Sequence, residues 1–390
     1  MKHSICPCCQ SKNLKDFFVL KNAPIHSLVT IKTYEEAIAI PRKDITLTIC
    51  TDCSFVFNSS FDTSIDFFTN GYEDQQGFSS TFRMFLTKVT NRFIDKYNIR
   101  EKDVVEIGCG KGDFINLFCE LGNNRGIGID PAYVPGRNEP HPNVSFIREF
   151  YSEKHGELPM DAITCRHTME HIHDTNTFVK TIRKSLKEGH DVKLLIEVPC
   201  IVRILNIQAF WDIFYEHCSY FSPGSLARLF RKNKFEVLDT YLEYDNQYLF
   251  LEAQPSQSIQ SAVHPLEESV TELQEAVDDF VVKINDQLGS WRKNLQEMKD
   301  KGQKVVVWGG GSKSVGFLTQ FDDLQVIEHV VDINPHMQGN FIPGIGIQYI
   351  TPDQLKEVMP DVVIIMNGVY KNEINSMLAE RGMHPELICL

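Results

Sequence analysis

Two pairs of cysteines near the start of the chain have the spacing of a metal site. Cys6 and Cys9 form one CxxC motif, and Cys50 and Cys53 form another. Each motif directs two thiolates at one point, and two such motifs supply the four soft ligands of a tetrahedral Zn²⁺. All four positions would be filled, so we expect a structural zinc. Two alternatives stay open: Cys8 could replace Cys9, or these could be reduced core cysteines without metal.

A glycine-rich turn between two acids is the second chemical motif. VVEIGCGKGDF places three glycines between a predicted strand and a predicted helix, and a second strand ends at GIGIDP. Glycines let the backbone approach a ligand, the helix N-terminus favours a carboxylate, and an acid ending the second strand can accept both ribose hydroxyls. This order predicts an S-adenosylmethionine site. The predicted cofactor residues are Glu106, Gly108, Gly110, Gly112, Asp130, Glu149, Phe150 and His167.

Within that set, an acid and an aromatic ring after the third strand, Glu149 and Phe150, are assigned to the adenine. The spacing is GxGxG rather than GxGxxG, which is a weak motif on its own. A turn that serves only tight packing, and a dinucleotide site, therefore remain as alternatives.

Two histidine-rich segments follow later strands. RHTMEHIHD (166–174) comes after the fourth strand, and WDIFYEHCSYFSP (211–223) comes after the fifth. Ligands of a doubly wound sheet lie at the carboxyl ends of its strands, so both segments are expected near the reacting methyl group. His217 among aromatic residues could act as a general base, His171 as a hydrogen-bond donor, and Glu216 could orient a substrate hydroxyl or the imidazolium. A histidine that only caps a loop is the structural alternative.

A second glycine turn, WGGGSKSVG (308–316), follows a strong β run. Ser314 stands where the third glycine of GxGxxG would be, and Asp332 ends the next strand at the distance of a ribose-binding acid. This predicts a candidate NAD site, with Lys313 able to meet a phosphate. A folded unit without any ligand is the alternative.

The elements that position these motifs alternate in type. Apolar strands are predicted at 103–108, 126–130, 144–149, 161–165 and 193–199, with amphipathic helices between them. Such alternation predicts a parallel sheet covered on both faces, that is, an α/β doubly wound fold. An antiparallel hairpin is predicted near 234–253, and a long connecting helix within 266–300.

Four segments follow from these patterns. We expect a zinc-binding domain at 1–75, a methyltransferase domain at 76–258, a linker and connecting helix at 259–302, and a small α/β domain at 303–390.

Composition excludes several classes of function. The chain has 390 residues, 42% hydrophobic and 23% charged, with net charge −13. An acidic chain repels phosphate backbones and anionic lipid, so we expect no nucleic-acid partner and no membrane partner. There is no apolar run long enough to span a membrane and no secretory signal, so we expect a cytoplasmic protein whose cysteines are reduced.

With these motifs together, the chain resembles the sugar-nucleotide C-methyltransferases. The segments that carry the resemblance are the cysteine pairs, EIGCGKGDF, EHCSYFS and VVDINPHMQGNFIPG. The resemblance implies a zinc-ribbon-like domain, a class I methyltransferase domain and a Rossmann-like C-terminal domain that helps bind the nucleotide. It also implies that His217 removes a proton beside a keto group, that His171 lies close to the sugar, and that the resulting enolate attacks the methyl group.

The chain departs from the family at its tyrosines. Phe214 stands where the family usually has tyrosine, and a tyrosine-rich stretch is reduced to GYEDQQGFSS, which keeps Tyr72. Tyr72 and Tyr215 are the remaining candidates for a catalytic hydroxyl. The predicted activity is C-methylation beside a keto group of a nucleotide-linked sugar or similar small molecule, by a monomer or homodimer. O- or N-methylation of another metabolite, and NAD-dependent oxidation, are the alternatives.

Overall fold

The computed structural model describes residues 2–65, 67, 71–187, 189, 191–258 and 262–390. Three β-sheets organise this part of the chain. The first begins with three antiparallel strands. These strands are β1 (Leu14–Pro24), β2 (Arg42–Cys50) and β3 (Val56–Asn58), with the short helix α1 (Tyr34–Ile38) between β1 and β2.

The central sheet has seven strands. Its parallel strands are β4 (Asp103–Ile107), β5 (Arg125–Ile129), β6 (Val144–Ile147), β7 (Ala162–Arg166) and β8 (Lys193–Pro199). The next strand, β9 (Ser219–Tyr220), lies outside this sheet, and β10 (Phe235–Glu243) and β11 (Tyr248–Pro255) form the antiparallel hairpin predicted at its edge. The order β10-β11-β8-β7-β4-β5-β6 confirms the class I methyltransferase fold.

Five helices accompany the central sheet. They are α2 (Ser80–Tyr97), α3 (Asp113–Gly122), α4 (Thr175–Ser185), α5 (Ile201–Asn206) and α6 (Pro223–Lys232). Side chains fix where several of them begin: Ser79 accepts a bond from the N–H of Phe82, and Asp174 accepts one from Thr177. Such caps satisfy N–H groups that have no partner within the helix.

The third sheet is entirely parallel, in the order β14-β13-β12-β15-β16. Its strands are β12 (Val305–Trp308), β13 (Ile327–Val331), β14 (Tyr349–Ile350), β15 (Val362–Ile365) and β16 (Glu386–Cys389). Its helices are α8 (Ser312–Leu318), α9 (Leu355–Val358) and α10 (Lys371–Glu380), and they follow the connecting helix α7 (Val270–Asp300).

Helix α7 ties the first sheet to the third. Its Phe280 packs edge-on against Phe18 of β1, with ring centroids 5.4 Å apart. Three turns further on, Trp291 packs edge-on against Phe317 of α8, at 5.1 Å. The buried face of α7 therefore shares one hydrophobic core with both sheets. No helix in the described part of the chain is long and apolar enough to cross a bilayer.

The two-residue strand β9 is the unexpected feature of the fold. It begins two residues after His217, yet it pairs with β3 and so becomes the fourth strand of the N-terminal sheet. The N–H of Asn58 donates to the Cys218 carbonyl at 2.9 Å, which extends this pairing to the residue after the histidine. The N-terminal sheet thus holds the backbone of the proposed catalytic segment.

Candidate active site between two glycine turns

A cavity of about 500 Å³ lies between the central and C-terminal sheets. The first glycine turn lines it on one side and the second, at 309–311, on the other. Both turns follow the carboxyl end of a parallel strand, which is where α/β sheets bind ligands. The cavity therefore has the volume and placement of a small-molecule site.

The first turn is held open by an acid from the next strand. Gly110 has a φ of 54°, which favours glycine, and its N–H donates to Asp130 Oδ2 at 2.9 Å. The N–H of Ala132 donates to Oδ1 of the same carboxylate at 2.7 Å. Gly112 begins α3 and leaves room for the Phe146 ring, which would lie 2.5 Å from a Cβ there, and it does not line the cavity. Of the predicted glycines, Gly108 and Gly110 line the cavity and Gly112 serves packing.

The cavity wall on this side is rich in buried acids. Burial raises the pKa of Glu106 to about 8, and its Oε2 has no hydrogen-bond partner among the described residues. Burial also raises the pKa of Asp113 and of Asp130, although hydrogen bonds lower both in part. These carboxyl groups disfavour additional negative charge, so this side of the cavity suits a cationic ligand.

The pair predicted to hold adenine sits at the rim. Glu149 and Phe150 both line the cavity, but Phe150 is 64% exposed and Glu149 forms an ion pair with Lys154 at the surface. Behind them Tyr133 stacks on Phe146, with ring centroids 4.0 Å apart.

His167 lines the cavity as part of a cluster of charged side chains. Its ring nitrogens face Glu170 Oε1 and Glu197 Oε1, each at 3.2 Å, and Arg166 also pairs with Glu197. Burial opposes the charged imidazolium, but Glu197 and Glu170 outweigh it and raise the pKa of His167 to about 9. His167 is therefore a cation at neutral pH, which sequence spacing alone does not indicate.

The two histidines predicted to act in catalysis meet at the cavity. The rings of His171 and His217 lie 4.9 Å apart, at 77° to one another, and both line the cavity. His171 Nδ1 donates to the Glu216 carbonyl at 3.0 Å. Burial lowers the pKa of His217 well below its usual value, and the charges of His171, His167 and Lys313 lower it further. The Phe214 ring lies 4.0 Å from the His217 ring, so an aromatic face covers the imidazole.

The carboxylate of Glu216 does not face the substrate side. It is 1% exposed and accepts bonds from the Ser27 N–H, at 3.0 Å, and from the Ser27 hydroxyl. Ser27 Oγ also lies 2.8 Å from Ser312 Oγ at the start of α8. The expectation that Glu216 orients a substrate hydroxyl or the imidazolium does not match this geometry. Its side chain instead joins the N-terminal, central and C-terminal parts of the chain.

Of the two candidate tyrosines, Tyr72 lines the cavity and Tyr215 does not. Tyr215 points away from the cavity, because its hydroxyl accepts the Asp62 N–H at 3.0 Å in the core beneath the N-terminal sheet. The prediction that Tyr215 supplies a catalytic hydroxyl does not match this geometry. Tyr72 lines the cavity, and burial raises the pKa of its hydroxyl well above the usual value. A buried neutral phenol can donate to a developing oxyanion.

Sequence reasoning missed a cationic pair in the same cavity. Asp212 accepts an ion pair from Lys313 and one from Arg203 Nη1 at 3.4 Å, and all three residues line the cavity. Arg203 also pairs with Asp245, at 3.6 Å, but Asp245 does not line the cavity, so the cavity wall itself presents two cations and one carboxylate to an anionic ligand. The signal was present in part, since Lys313 stood out beside its glycines, but Arg203 lies on α5, more than a hundred residues earlier.

A short segment, 72–79, which we call the strap, was also missed. Its Glu73 accepts bonds from Arg137 Nη2 at 2.5 Å and from Asn334 Nδ2 at 2.9 Å. Its Asp74 forms an ion pair with Lys111 at 3.2 Å, and its Gln75 donates to both oxygens of Asp113. The strap therefore connects the first glycine turn to the C-terminal sheet. The polar residues of this segment do not indicate, in the sequence, that it contacts two regions so distant along the chain.

In the second glycine turn, as in the first, a glycine N–H donates to an acid that follows the next strand. The N–H of Gly310 donates to Asp332 Oδ2 at 2.6 Å, and the N–H of Asn334 donates to Oδ1 at 2.7 Å. The Tyr349 ring lies where a Cβ on Gly310 would be, and its hydroxyl donates to the Gly310 carbonyl at 2.9 Å. The oxygens of Asp332, which the sequence offered as a ribose ligand, thus brace the turn.

The four predicted cysteine ligands form one cluster. The sulfur atoms of Cys6 and Cys53 lie 3.7 Å apart, and those of Cys9 and Cys50 lie 3.5 Å apart. Tetrahedral zinc with bonds of about 2.3 Å separates its sulfurs by about 3.8 Å, whereas a disulfide bond is about 2.05 Å. Cys8 is buried outside the cluster, so the geometry favours Cys9 over the alternative register.

Two family models match the chain in succession. Residues 80–240 match a methyltransferase domain, and residues 248–384 match a C-methyltransferase C-terminal domain. The C-methyltransferase NovU of Streptomyces niveus is 24% identical over 311 residues, which cover 74% of this chain and 72% of that protein.

Two similar solved structures each cover less than half of this chain. The magnesium protoporphyrin IX methyltransferase of Synechocystis PCC 6803, with bound S-adenosylhomocysteine, is 12% identical at a TM-score of 0.35, covering 45% of this chain and 84% of that one. The 1,6-didemethyltoxoflavin-N1-methyltransferase of Burkholderia thailandensis is 17% identical at a TM-score of 0.33, covering 44% and 79%. At these scores the fold assignment rests on the strand order described above.

Proposed function

We propose, on the premise that this chain is an S-adenosylmethionine-dependent C-methyltransferase, that it methylates a carbon beside a keto group of a nucleotide-linked sugar or similar small molecule. His217 is the general base of this proposal. The observation that carries it is the placement of a buried, neutral imidazole between the first glycine turn and the cationic pair.

The first glycine turn fits the donor. S-adenosylmethionine supplies an electrophilic methyl group on a sulfonium. Glu106 has an unpartnered buried oxygen, and the neighbouring carboxyl groups have raised pKa values, so a ligand with positive charge relieves their burial. We assign the methionine part to the turn, the ribose hydroxyls to Asp130, and the adenine to Glu149 and Phe150.

The histidines divide the proton chemistry between them. His217, neutral at physiological pH, takes the proton from the carbon beside the keto group. His171 donates its Nδ1–H to the Glu216 carbonyl, which fixes the ring beside His217, where its other edge can face the enolate oxygen. Tyr72 is a further donor for that oxygen. With the acceptor carbon held against the donor, orientation supplies much of the remaining rate.

The cationic pair fits the nucleotide side of the acceptor. Arg203 and Lys313 share Asp212 at the wall of the cavity formed in part by the C-terminal sheet. A diphosphate could accept hydrogen bonds from both, and its negative charges would be paired with those of Arg203 and Lys313. This favours a nucleotide-linked acceptor over a neutral metabolite. O- or N-methylation remains the second candidate, because a nucleophile with its own lone pair would use the same donor site.

The cysteine cluster fits a structural zinc. Four sulfur atoms at tetrahedral spacing leave no position for a reacting water, so the ion would stabilise the N-terminal sheet rather than join the reaction. None of the eleven cysteines, each within the described residues, forms a disulfide, and we propose a reducing compartment such as the cytoplasm.

The test replaces the base. His217→Asn should lower turnover by at least about 100-fold while S-adenosylhomocysteine affinity stays unchanged, since the donor turn lies outside the change. Turnover would be measured as transfer of a labelled methyl group to a panel of nucleoside-diphosphate keto sugars, with product mass and NMR locating the new carbon bond.

His173→Asn is the matched control, because His173 lies in the other histidine-rich segment and its ring contacts His3 and Phe61 instead of His217. A His217→Asn enzyme that kept near-normal turnover would remove the base assignment. Methylation only of oxygen or nitrogen acceptors would favour the second candidate.

A further inference from the structure

We infer that Glu170 is a positioning residue whose buried carboxylate holds His217 in one tautomer and compensates the charge that the ring acquires. This inference rests on the proposed role of His217. It concerns a residue that lies on the 3₁₀ turn Met169–His171, directly after β7.

The side chain of Glu170 is fixed from two directions. It is 1% exposed, and its Oε1 accepts from His167 Nδ1 at 3.2 Å. Its backbone carbonyl accepts the N–H of Cys218 at 2.9 Å, which binds the turn to the residue that follows the proposed base. Glu170 therefore has little freedom to rotate away from the histidines.

One carboxylate oxygen of Glu170 is not used by any of the contacts described above. Oε2 is buried and has no hydrogen-bond partner within the described ranges. A carboxylate oxygen of Glu170 and one ring nitrogen each of His171 and His217 lie within 4.8 Å of one another. A buried acceptor without a donor is costly, and we assign it an N–H of the His217 ring, because His171 already donates its Nδ1–H to the Glu216 carbonyl.

The charges around His217 explain why a carboxylate of Glu170 beside its ring would matter. His171, His167 and Lys313 all oppose a proton on His217, and Asp212 already pairs with Lys313. When His217 removes the acceptor proton, the C–H electron pair passes into the enolate and the ring becomes a cation. That carbon then forms the new C–C bond as the sulfur–methyl bond breaks. A carboxylate against the far side of the ring compensates the cation and leaves the other nitrogen facing the substrate, as a carboxylate does for a catalytic histidine in hydrolases.

The first test needs no acceptor. Nitrogen-15 NMR of the histidine rings, on the zinc-loaded full chain saturated with S-adenosylhomocysteine, reports the tautomer of His217, assigned with His217→Asn. We expect one tautomer in the native protein and a mixture in Glu170→Gln. The control Glu157→Gln, an exposed acid on another face, should match the native spectrum. A single unchanged tautomer in Glu170→Gln would overturn the inference.

The second test is kinetic, with the acceptor found in the keto-sugar panel. Glu170→Gln should lower kcat by at least about 100-fold with little change in the KM of the donor, and Glu170→Asp should restore part of the loss. The acidic limb of its pH profile should move to lower pH, because removing a negative charge lowers the pKa of His217. If no panel member is methylated, the proposed acceptor class fails, while the NMR result still decides on Glu170.

Equal loss in Glu170→Asp and Glu170→Gln, without a change in the pH profile, would mean that Glu170 only supports the fold and would overturn the inference.

Discussion

At the scale of single residues, neighbouring charges distinguish two histidines at the cavity. His217 and His167 both face the same space, yet one has its pKa lowered and the other has it raised. The difference lies in their neighbours: His217 meets cations, whereas His167 lies between Glu197 and Glu170. One histidine is thus prepared to accept a proton and the other to remain charged.

His167 also predicts how stability changes with pH. Its pKa of about 9 in the folded protein exceeds the unfolded value of 6.5, so its contribution is full below about pH 6.5 and is lost as pH rises toward 9. The loss should reach at most about 3 kcal/mol in the free energy of unfolding.

Urea denaturation at pH 6.5, 7.5 and 9 checks this in the native protein and in His167→Gln. The native protein should lose more unfolding free energy across that range than the variant does. Equal losses in the two proteins would contradict the assignment of a charged His167.

At the scale of elements, two short segments, β9 and the strap, connect parts of the molecule that are distant in sequence. Strand β9 carries the proposed base into the N-terminal sheet, and the strap joins the donor turn to the C-terminal sheet. Each depends on pairing between segments distant in sequence, and each brings side chains to the cavity that its own local structure could not place.

Replacing Glu73 tests the strap. Glu73 is 5% exposed, and Glu73→Gln leaves the Arg137 guanidinium without its anionic partner. We expect a loss of stability of about 2–4 kcal/mol, faster amide exchange at 72–79 and 332–337, and roughly tenfold weaker S-adenosylhomocysteine binding.

Hydrogen exchange and calorimetry measure these effects. Glu243→Gln is the matched control, because Glu243 pairs with the exposed Lys88 on another face and should leave all three unchanged. Native exchange and affinity in Glu73→Gln would show that the strap does not support the donor site.

At the scale of the whole molecule, the active site is shared by three sheets. The central sheet supplies the donor turn, the N-terminal sheet holds β9, and the C-terminal sheet closes the cavity. The joint made by Ser27, Glu216 and Ser312 touches all three parts. Disorder in any one of the three sheets should therefore lower the rate of the methyl transfer.

Removal of zinc tests that dependence. Cys50→Ser should lose the metal and disorder the N-terminal sheet, lowering turnover at least about tenfold through β9. S-adenosylhomocysteine affinity should change much less, because the donor turn belongs to the central sheet.

Metal analysis, turnover and calorimetry on the same preparations measure this. Cys8→Ser is the matched control, since Cys8 is buried beside Cys9 but outside the cluster, and it should keep both zinc and turnover. Full turnover in metal-free Cys50→Ser protein would contradict the coupling.

The sequence by itself determined the features that depend on near neighbours. Strand and helix alternation gave the doubly wound sheet, the hairpin and the long helix, since periodicity of apolar residues is local. The glycine turn with Glu106 and Asp130, and the two CxxC pairs, were visible for the same reason. These account for the fold class and for the donor side of the candidate site.

Only the tertiary structure decided which distant groups meet. It turned Tyr215 and the Glu216 carboxylate away from the cavity, added Arg203 and the strap to the candidate site, and placed Glu170 beside His217. Packing between sheets determines contacts of this kind. Burial and neighbouring charges then determine the protonation state of the side chains that meet. Spacing along the chain contains neither of these quantities, which is why the protonation state of the histidines had to come from the folded molecule.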